Sequence, residues 1–125
     1  MSNMLLKDFY TIDNIKNDAQ SYTINVVLNA EHEVYKGHFP EQPIVPGVCT
    51  MQLVKECVEK IKDTQFCYSQ IQSCKFLSVI NPKVDNVVNV VMALSWGEDG
   101  SINLQADILQ REQAVVKLKA VLRQI

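Results

Sequence analysis

The sequence lacks the features that mark metal-binding, nucleic-acid-binding and membrane proteins. Its four cysteines form no Cys-x-x-Cys pair or Cys/His cluster, and only two histidines are present, so we expect no metal site. Twelve basic against fourteen acidic residues give a net charge of −2 without a basic block, which argues against nucleic acid as the main partner. No long apolar run lies near the N-terminus, so we expect neither a signal peptide nor a membrane span. A cytoplasmic protein with reduced thiols is the simplest expectation.

The length and composition are those of an ordinary globular domain. A chain of 125 residues is long enough to form a hydrophobic core. The hydrophobic fraction of 47% is typical of globular proteins. Because no repeat, low-complexity tract or linker divides the chain, we expect residues 1–125 to form a single domain.

Proline is scarce, but three of the four prolines are clustered just before a predicted helix. They are Pro40, Pro43 and Pro46. Each fixes its φ angle and lacks a backbone donor, so this segment cannot be regular secondary structure. Apolar residues then recur at helical spacing and predict a helix over residues 47–62. A rigid loop that contains His38 therefore leads directly into a helix N-terminus.

Alternating apolar residues predict strands on both sides of this helix. Residues 9–15 and 21–30 precede the helix, with a turn at 17–19. The segments 66–80, 86–96, 102–108 and 115–122 follow it, separated by turn candidates at 81–82, 97–100 and 110–113. The residues of the last segment also favour a helix, but their alternation favours a strand.

These elements predict an α+β fold. A curved antiparallel sheet of five to six strands would wrap around one long central helix, because only the helix can cover the apolar face of the sheet. Pairing between subunits would remove the exposed edges of such a sheet. We therefore expect a homodimer.

The run that begins at His38, His-Phe-Pro-Glu-Gln-Pro-Ile-Val-Pro-Gly-Val, resembles the signature of the 3-hydroxyacyl-acyl carrier protein dehydratases. In that family His-Phe-Pro-x-x-Pro-Val-Met-Pro-Gly-Val precedes the central helix of a hot-dog fold. A weaker similarity to the family's third strand lies at residues 75–82, although Lys83 and Val84 replace the usual Gly-Asp. The resemblance covers roughly residues 21–91. It implies removal of water from a 3-hydroxyacyl thioester to give a trans-2-enoyl thioester, in fatty-acid or related biosynthesis.

The resemblance also implies roles for residues around the loop. His38 matches the base for the α-proton, and an imidazole suits this role near neutral pH. The N–H groups of Gly47 and Val48 begin the helix and could bind the thioester oxygen as negative charge develops on it. The residues that would line the acyl tunnel are Phe39, Pro46 and Phe76.

The family's acid is replaced in this sequence. Gln52 stands where the family has Glu or Asp, and a carboxamide can hold a water or hydroxyl but cannot donate a titratable proton. Glu56 lies one helical turn further on the same face, so it could act through a relaying water. The alternative for Glu56 is a solvated carboxylate or an ion pair with Lys60.

The family implies an acyl carrier protein with a phosphopantetheine-linked acyl chain as partner, and a homodimer or an oligomer of dimers. No cofactor is implied. Two other functions remain open: a catalytically impaired subunit that pairs with an active dehydratase, and an acyl-thioesterase on the same fold.

Other residues have simpler interpretations. We expect Cys49 and Cys57 to be core residues, Phe39 and Phe76 to be core residues if they do not line the tunnel, and His32 to be an exposed loop residue. Basic residues that could contact an acidic carrier protein are Lys75, Lys83, Lys117, Lys119, Arg111 and Arg123.

Overall fold

The computed structural model describes residues 7–19, 21–36 and 43–125. Two strands and a short 3₁₀ helix precede the only α-helix among these residues, and four strands follow it. The elements are β1 (Tyr10–Asp18), β2 (Ser21–Leu28), the 3₁₀ helix Glu33–Tyr35, α1 (Gly47–Lys62), β3 (Phe66–Phe76), β4 (Val87–Trp96), β5 (Ile102–Gln110) and β6 (Gln113–Gln124). The predicted helix and the predicted α+β class are confirmed.

The six strands form one antiparallel sheet in the order β1-β2-β4-β5-β6-β3. Strand β3 follows the helix in sequence but pairs with the last strand, so β1 and β3 are the two edges. Each edge strand carries irregularities in its register, and such bulges are common at sheet edges. The helix covers one face of the sheet, as the amphipathic pattern predicts.

The core lies between this sheet face and the buried side of α1. The predicted inward faces of β2 and β6 are buried, and so are the two cysteines of the helix, which confirms their interpretation as core residues. The helix residues buried to 2% exposure or less are Leu53, Val54, Cys57 and Val58. Burying an apolar side chain of this size stabilises the fold by about 1.5–3 kcal/mol.

A charged pair attaches the C-terminal half of α1 to the start of β3. Lys55 Nζ lies 3.3 Å from Glu59 Oε2 and donates to the Phe66 carbonyl at 3.1 Å, while the Phe66 N–H donates to Glu59 Oε2 at 2.9 Å. Both backbone groups of a fully buried residue are thus satisfied by side chains of the helix. The helix ends at Asp63, which caps it in the left-handed conformation with a φ of 51°.

Several predicted boundaries were wrong. Strand β1 continues to Asp18, because Asp18 is still paired with Ser21 of β2. Strand β3 ends at Phe76 rather than at residue 80, since the N–H groups of Leu77 and Ser78 both bond to the single Val115 carbonyl and the Ile80 carbonyl accepts from the Val45 N–H instead of from a strand. The helical alternative for the last segment was also wrong, because β6 pairs with strands on both sides.

Among the described residues, no helix is long and apolar enough to cross a membrane.

Candidate functional site

The N-terminus of α1 presents two backbone donors. Pro46 is the N-cap and provides no side-chain hydrogen bond. Its carbonyl accepts from the Cys49 N–H at 2.9 Å, whereas the N–H groups of Gly47 and Val48 precede the first possible intrahelical bonds. The Val48 side chain is 75% exposed. These two N–H groups carry the positive end of the helix dipole and can bind an oxygen with negative charge.

Two predicted site residues, His38 and Phe39, lie outside the described residues. The structure does place the segments on either side of their loop. The chain enters the loop after Tyr35 and Lys36 and resumes at Pro43, close to the start of α1. The loop's two ends are thus anchored, and the prediction that His38 is the base stays a prediction.

Phe76 lies against the first residue of the helix. A Cβ atom added to Gly47 would come within 2.8 Å of Cζ of the Phe76 ring. The ring occupies the space that a side chain at position 47 would need, although 53% of Phe76 remains exposed. This exposure shows that Phe76 is not a core residue, so that alternative was wrong. Phe76 stands at the last position of an edge strand, where one side of its ring is left open.

The buried side of α1 carries a hydrogen-bonded carboxylate. Glu56 is only 4% exposed. Its Oε2 accepts from Gln52 Nε2 at 2.9 Å, one helical turn away, and its Oε1 accepts from the Tyr10 hydroxyl of β1 at 2.8 Å. The two residues that the sequence proposed for acid chemistry are thus in direct contact. The third member, Tyr10, gave no signal in the sequence, because it lies 46 residues away.

The simpler interpretation of Glu56 was wrong. A solvated carboxylate would be exposed, and the i, i+4 ion pair found in this helix joins Lys55 and Glu59. Lys60 lies on the exposed side of the helix. Glu56 instead faces the sheet, where its hydrogen bonds to Gln52 and Tyr10 help to offset the cost of burying a polar group.

The groups around this carboxylate are held in their protonated forms. Burial, together with the hydrogen bond to Glu56, raises the pKa of Tyr10 above its ordinary value of 10.0. Burial and the neighbouring carboxylate raise the pKa of Cys57 from 9.0 to about 12. At neutral pH the Tyr10 phenol is therefore a donor, and Cys57 is a thiol without nucleophilic character.

His32 has a structural role that the sequence did not reveal, so its interpretation as an exposed loop residue was wrong. Its Nδ1 accepts from the Val34 N–H at 3.0 Å and caps the 3₁₀ helix. Its Nε2 lies 2.9 Å from the Lys7 carbonyl, so the neutral ring carries its proton on Nε2. The ring also contacts Phe9 edge-on.

Three of the six basic residues considered for carrier contacts are paired within the chain. Arg111 lies 3.1 Å from Asp85, Arg123 lies 2.9 Å from Asp99, and Lys117 lies 3.9 Å from Asp107. The remaining three have no ion pair among the described residues and are exposed. They are Lys75, Lys83 and Lys119.

A cleft of about 280 Å³ lies at the opposite end of α1, about 22 Å along the helix from its first residue. Its lining consists of Ala19, Tyr22, Lys62, Leu94, Ser95 and Trp96. It shares no residue with the predicted site. In the described part of the chain, no group of three or more His, Cys, Asp and Glu side chains could hold a metal ion.

Comparison with known proteins identifies the family of this chain and structures that share its fold. The family model described as ApeI-like, ApeI dehydratase, matches residues 14–118. A 3-hydroxyacyl-[acyl-carrier-protein] dehydratase FabZ from Thermoanaerobacter sp. (strain X514) is 26% identical over 72 residues, which cover 52% of this chain and 51% of that protein. The chain thus spans about half the length of the curated relatives it matches.

Solved structures share the fold at low sequence identity. The dehydratase heterocomplex ApeI:P from Xenorhabdus doucetiae has a TM-score of 0.65 at 22% identity, covering 90% of this chain and 96% of that chain. A putative thioesterase, YhdA from Lactococcus lactis, has a TM-score of 0.60 at 16% identity, covering 99% and 98%. These similarities confirm the α+β hot-dog fold, which serves more than one chemistry.

Proposed function

Because this chain belongs to the ApeI-like dehydratase family, we propose that it removes water from a 3-hydroxyacyl thioester to give a trans-2-enoyl thioester. One observation carries this proposal. The hydrogen-bonded pair of half-buried Gln52 and buried Glu56 lies on the same helix whose first N–H groups, those of Gly47 and Val48, can receive a thioester oxygen. Helix α1 therefore carries polar groups for both the thioester oxygen and the 3-hydroxyl of the substrate.

The reaction begins with loss of the α-proton. Neutral His38 takes this proton, and negative charge moves onto the thioester oxygen. The N–H groups of Gly47 and Val48 stabilise that charge as it develops, because they are fixed before the reaction and need not reorganise.

Departure of the 3-hydroxyl needs a proton. Gln52 Nε2 donates to Glu56. The Oε1 atom of Gln52 is therefore the one that can accept from the substrate hydroxyl or from a water. As the C–O bond breaks, the carboxyl group of Glu56 supplies this proton to the leaving oxygen through an intervening water. Water is released, and return of the proton from His38 to Glu56 restores the starting state. The Tyr10 hydroxyl can accept as well as donate, so its contact with Glu56 serves both protonation states.

The acyl chain would lie beside Pro46, Phe76 and Phe39, in a tunnel completed by a second subunit. Support comes from the exposed apolar side chains along the second half of the edge strand β3 and just after it. They are Ile71, Phe76, Leu77 and Val79. An unpaired strand edge with apolar side chains is a surface that a partner subunit would cover. A homodimer satisfies this requirement.

The substrate would be delivered on the phosphopantetheine arm of an acyl carrier protein. Lys75 and Lys117 face each other across β3 and β6, and Lys75 immediately precedes Phe76 at the site. Like charges in cross-strand contact repel each other, and an acidic carrier would relieve that repulsion. Lys75→Glu should lower the rate with carrier-bound substrate and leave the rate with substrate on free pantetheine unchanged.

To test the proposal, the purified protein is incubated with 3-hydroxyacyl carrier protein. Mass spectrometry then detects the loss of one water from the substrate, a decrease of about 18 Da. His38→Ala should abolish product, and Glu56→Gln should lower the rate at least about 100-fold if Glu56 supplies the proton. Glu56→Gln keeps the shape of the side chain, so circular dichroism verifies the fold. An unreactive wild type that gains activity on Gln52→Glu would contradict the role of Glu56.

A second function is favoured by Gln52 itself, since the usual acid is absent at that position. The chain would then be a thioester-binding subunit that pairs with an active dehydratase. In that case water loss appears only after the partner is added. Release of free thiol without loss of water would instead indicate thioesterase chemistry.

A further inference from the structure

The inner face of the sheet becomes open where α1 ends. Along β4, alternate residues lie on this face. Val90 and Met92 are fully buried, Leu94 is half-buried, and Trp96 at the end of the strand is 57% exposed. The helix that covers this face ends at Lys62. The cleft of about 280 Å³ lies at this point, where the cover of the helix stops.

The side chain of Lys62 places its charge inside this cleft. Its Nζ lies 5.9 Å from the centroid of the Tyr22 ring and 5.6 Å from that of the Trp96 ring. Both distances are within the roughly 6 Å over which a cation is attracted to a ring face. Lys62 makes no ion pair with any other described residue. The two rings therefore hold a positive charge at a position where it can also meet an anion.

These groups favour a small ligand that is both planar and anionic. The volume of the cleft is close to the lower end of the range for small-molecule sites, which begins at about 300 Å³, so it suits a single aromatic ring. The exposed Trp96 ring offers a face on which such a ring can stack. The Lys62 ammonium attracts a carboxylate and repels a cation. Charge and shape thus select for the same class of molecule.

We infer that this cleft binds a small aromatic carboxylate, with the ring of the ligand on Trp96 and its carboxylate at Lys62 Nζ. The cleft is about 22 Å along the helix from Gly47, so this ligand does not contact the N–H groups proposed to receive a thioester. The inference therefore does not depend on the proposed function.

The test uses the fluorescence of Trp96, which is the only tryptophan in the chain and reports directly on the cleft. Titration with benzoate should change this fluorescence until it saturates. Two further probes separate charge from shape. Benzamide has the ring without the charge, and cyclohexanecarboxylate has the charge without a planar ring. Each should bind at least about 10-fold more weakly than benzoate.

Lys62→Gln should weaken benzoate binding about 10-fold, because the charge-assisted contact is lost while most of the side chain remains. The matched control is Lys60→Gln, an exposed lysine of the same helical turn, which should bind benzoate like wild type. Circular dichroism verifies the fold of both variants.

A fluorescence change in wild type that rises without saturating would overturn this inference. Equal affinities for benzoate and benzamide, or an unchanged affinity for benzoate in Lys62→Gln, would also overturn it. Each of these results leaves the proposed function standing, because none of the measurements involves turnover of a thioester.

Discussion

The hydroxyl of Tyr10 donates to Oε1 of Glu56 at 2.8 Å. This contact joins an edge strand to the central helix and supplies a donor to a carboxylate that is almost fully buried. Gln52 supplies the second donor from within the helix. Among the described residues, Gln52 is a local partner of Glu56 and Tyr10 is a long-range one, and each can be substituted without changing the other.

Tyr10→Phe should lower the free energy of unfolding by about 2 kcal/mol, because a hydrogen bond to a buried carboxyl group is lost and Glu56 Oε1 stays buried. Urea unfolding followed by circular dichroism measures this change. The control is Tyr22→Phe, since the Tyr22 hydroxyl makes no hydrogen bond within the described part of the chain. Equal midpoints for Tyr10→Phe and wild type would show that water replaces the lost donor.

Stability should fall in alkaline solution. The pKa of Cys57 is 9.0 in an ordinary environment and about 12 in the fold, so the unfolded chain loses this proton first. A raised folded pKa gives stability that is complete below pH 9 and is lost as pH rises toward 12. Each such group contributes a slope of about −1.4 kcal/mol per pH unit within its window.

The measurement is the free energy of unfolding between pH 7 and pH 11 under reducing conditions. Cys57→Ala removes one titrating group, so its decline above pH 9 should be less steep than that of wild type. Tyr10 also has a raised pKa, and it adds to the decline above pH 10 in both proteins. Parallel curves for the two proteins would contradict the assignment to Cys57.

Gly47 and Phe76 should be energetically coupled. Gly47→Ala places a methyl group 2.8 Å from Cζ of the Phe76 ring, so the ring must move out of its contact with the helix. In a Phe76→Ala background the same substitution should be neutral or stabilising, because alanine favours a helix over glycine. A double-mutant cycle in urea should give a coupling of about 1 kcal/mol or more. Additive effects on the free energy of unfolding would contradict the coupling, because the Phe76 ring would then rotate away from position 47 without a loss of stability.

Glu112→Gly should stabilise the protein by about 1 kcal/mol. Arg111 and Glu112 form the two-residue turn between β5 and β6, with φ angles of 51° and 68°. Such turns favour glycine, because at positive φ the Cβ atom of any other residue comes too close to a backbone carbonyl oxygen. Thermal unfolding should show a higher midpoint. Gly100, with a φ of 82°, is the reverse control, and Gly100→Ala should lower it.

Much of the fold could be predicted because the signals are local. The amphipathic pattern of α1 and the alternation in β2 and β6 require only neighbouring residues. The ends of β1 and β3 could not be predicted in this way, because pairing partners decide where an edge strand stops. The same limit applies to His32, whose ring contacts with Lys7 and Phe9 form only when the N-terminal chain folds back against it.

The sequence alone determined the helix, the strand pattern and the family resemblance, since each depends on residue spacing along the chain. It also placed Gln52 and Glu56 on one helical face. The tertiary structure decided that this face is buried, that Tyr10 completes the carboxylate's hydrogen bonds, and that Phe76 packs on Gly47. These contacts join residues far apart in sequence, and their geometry is set by the order of strands in the sheet.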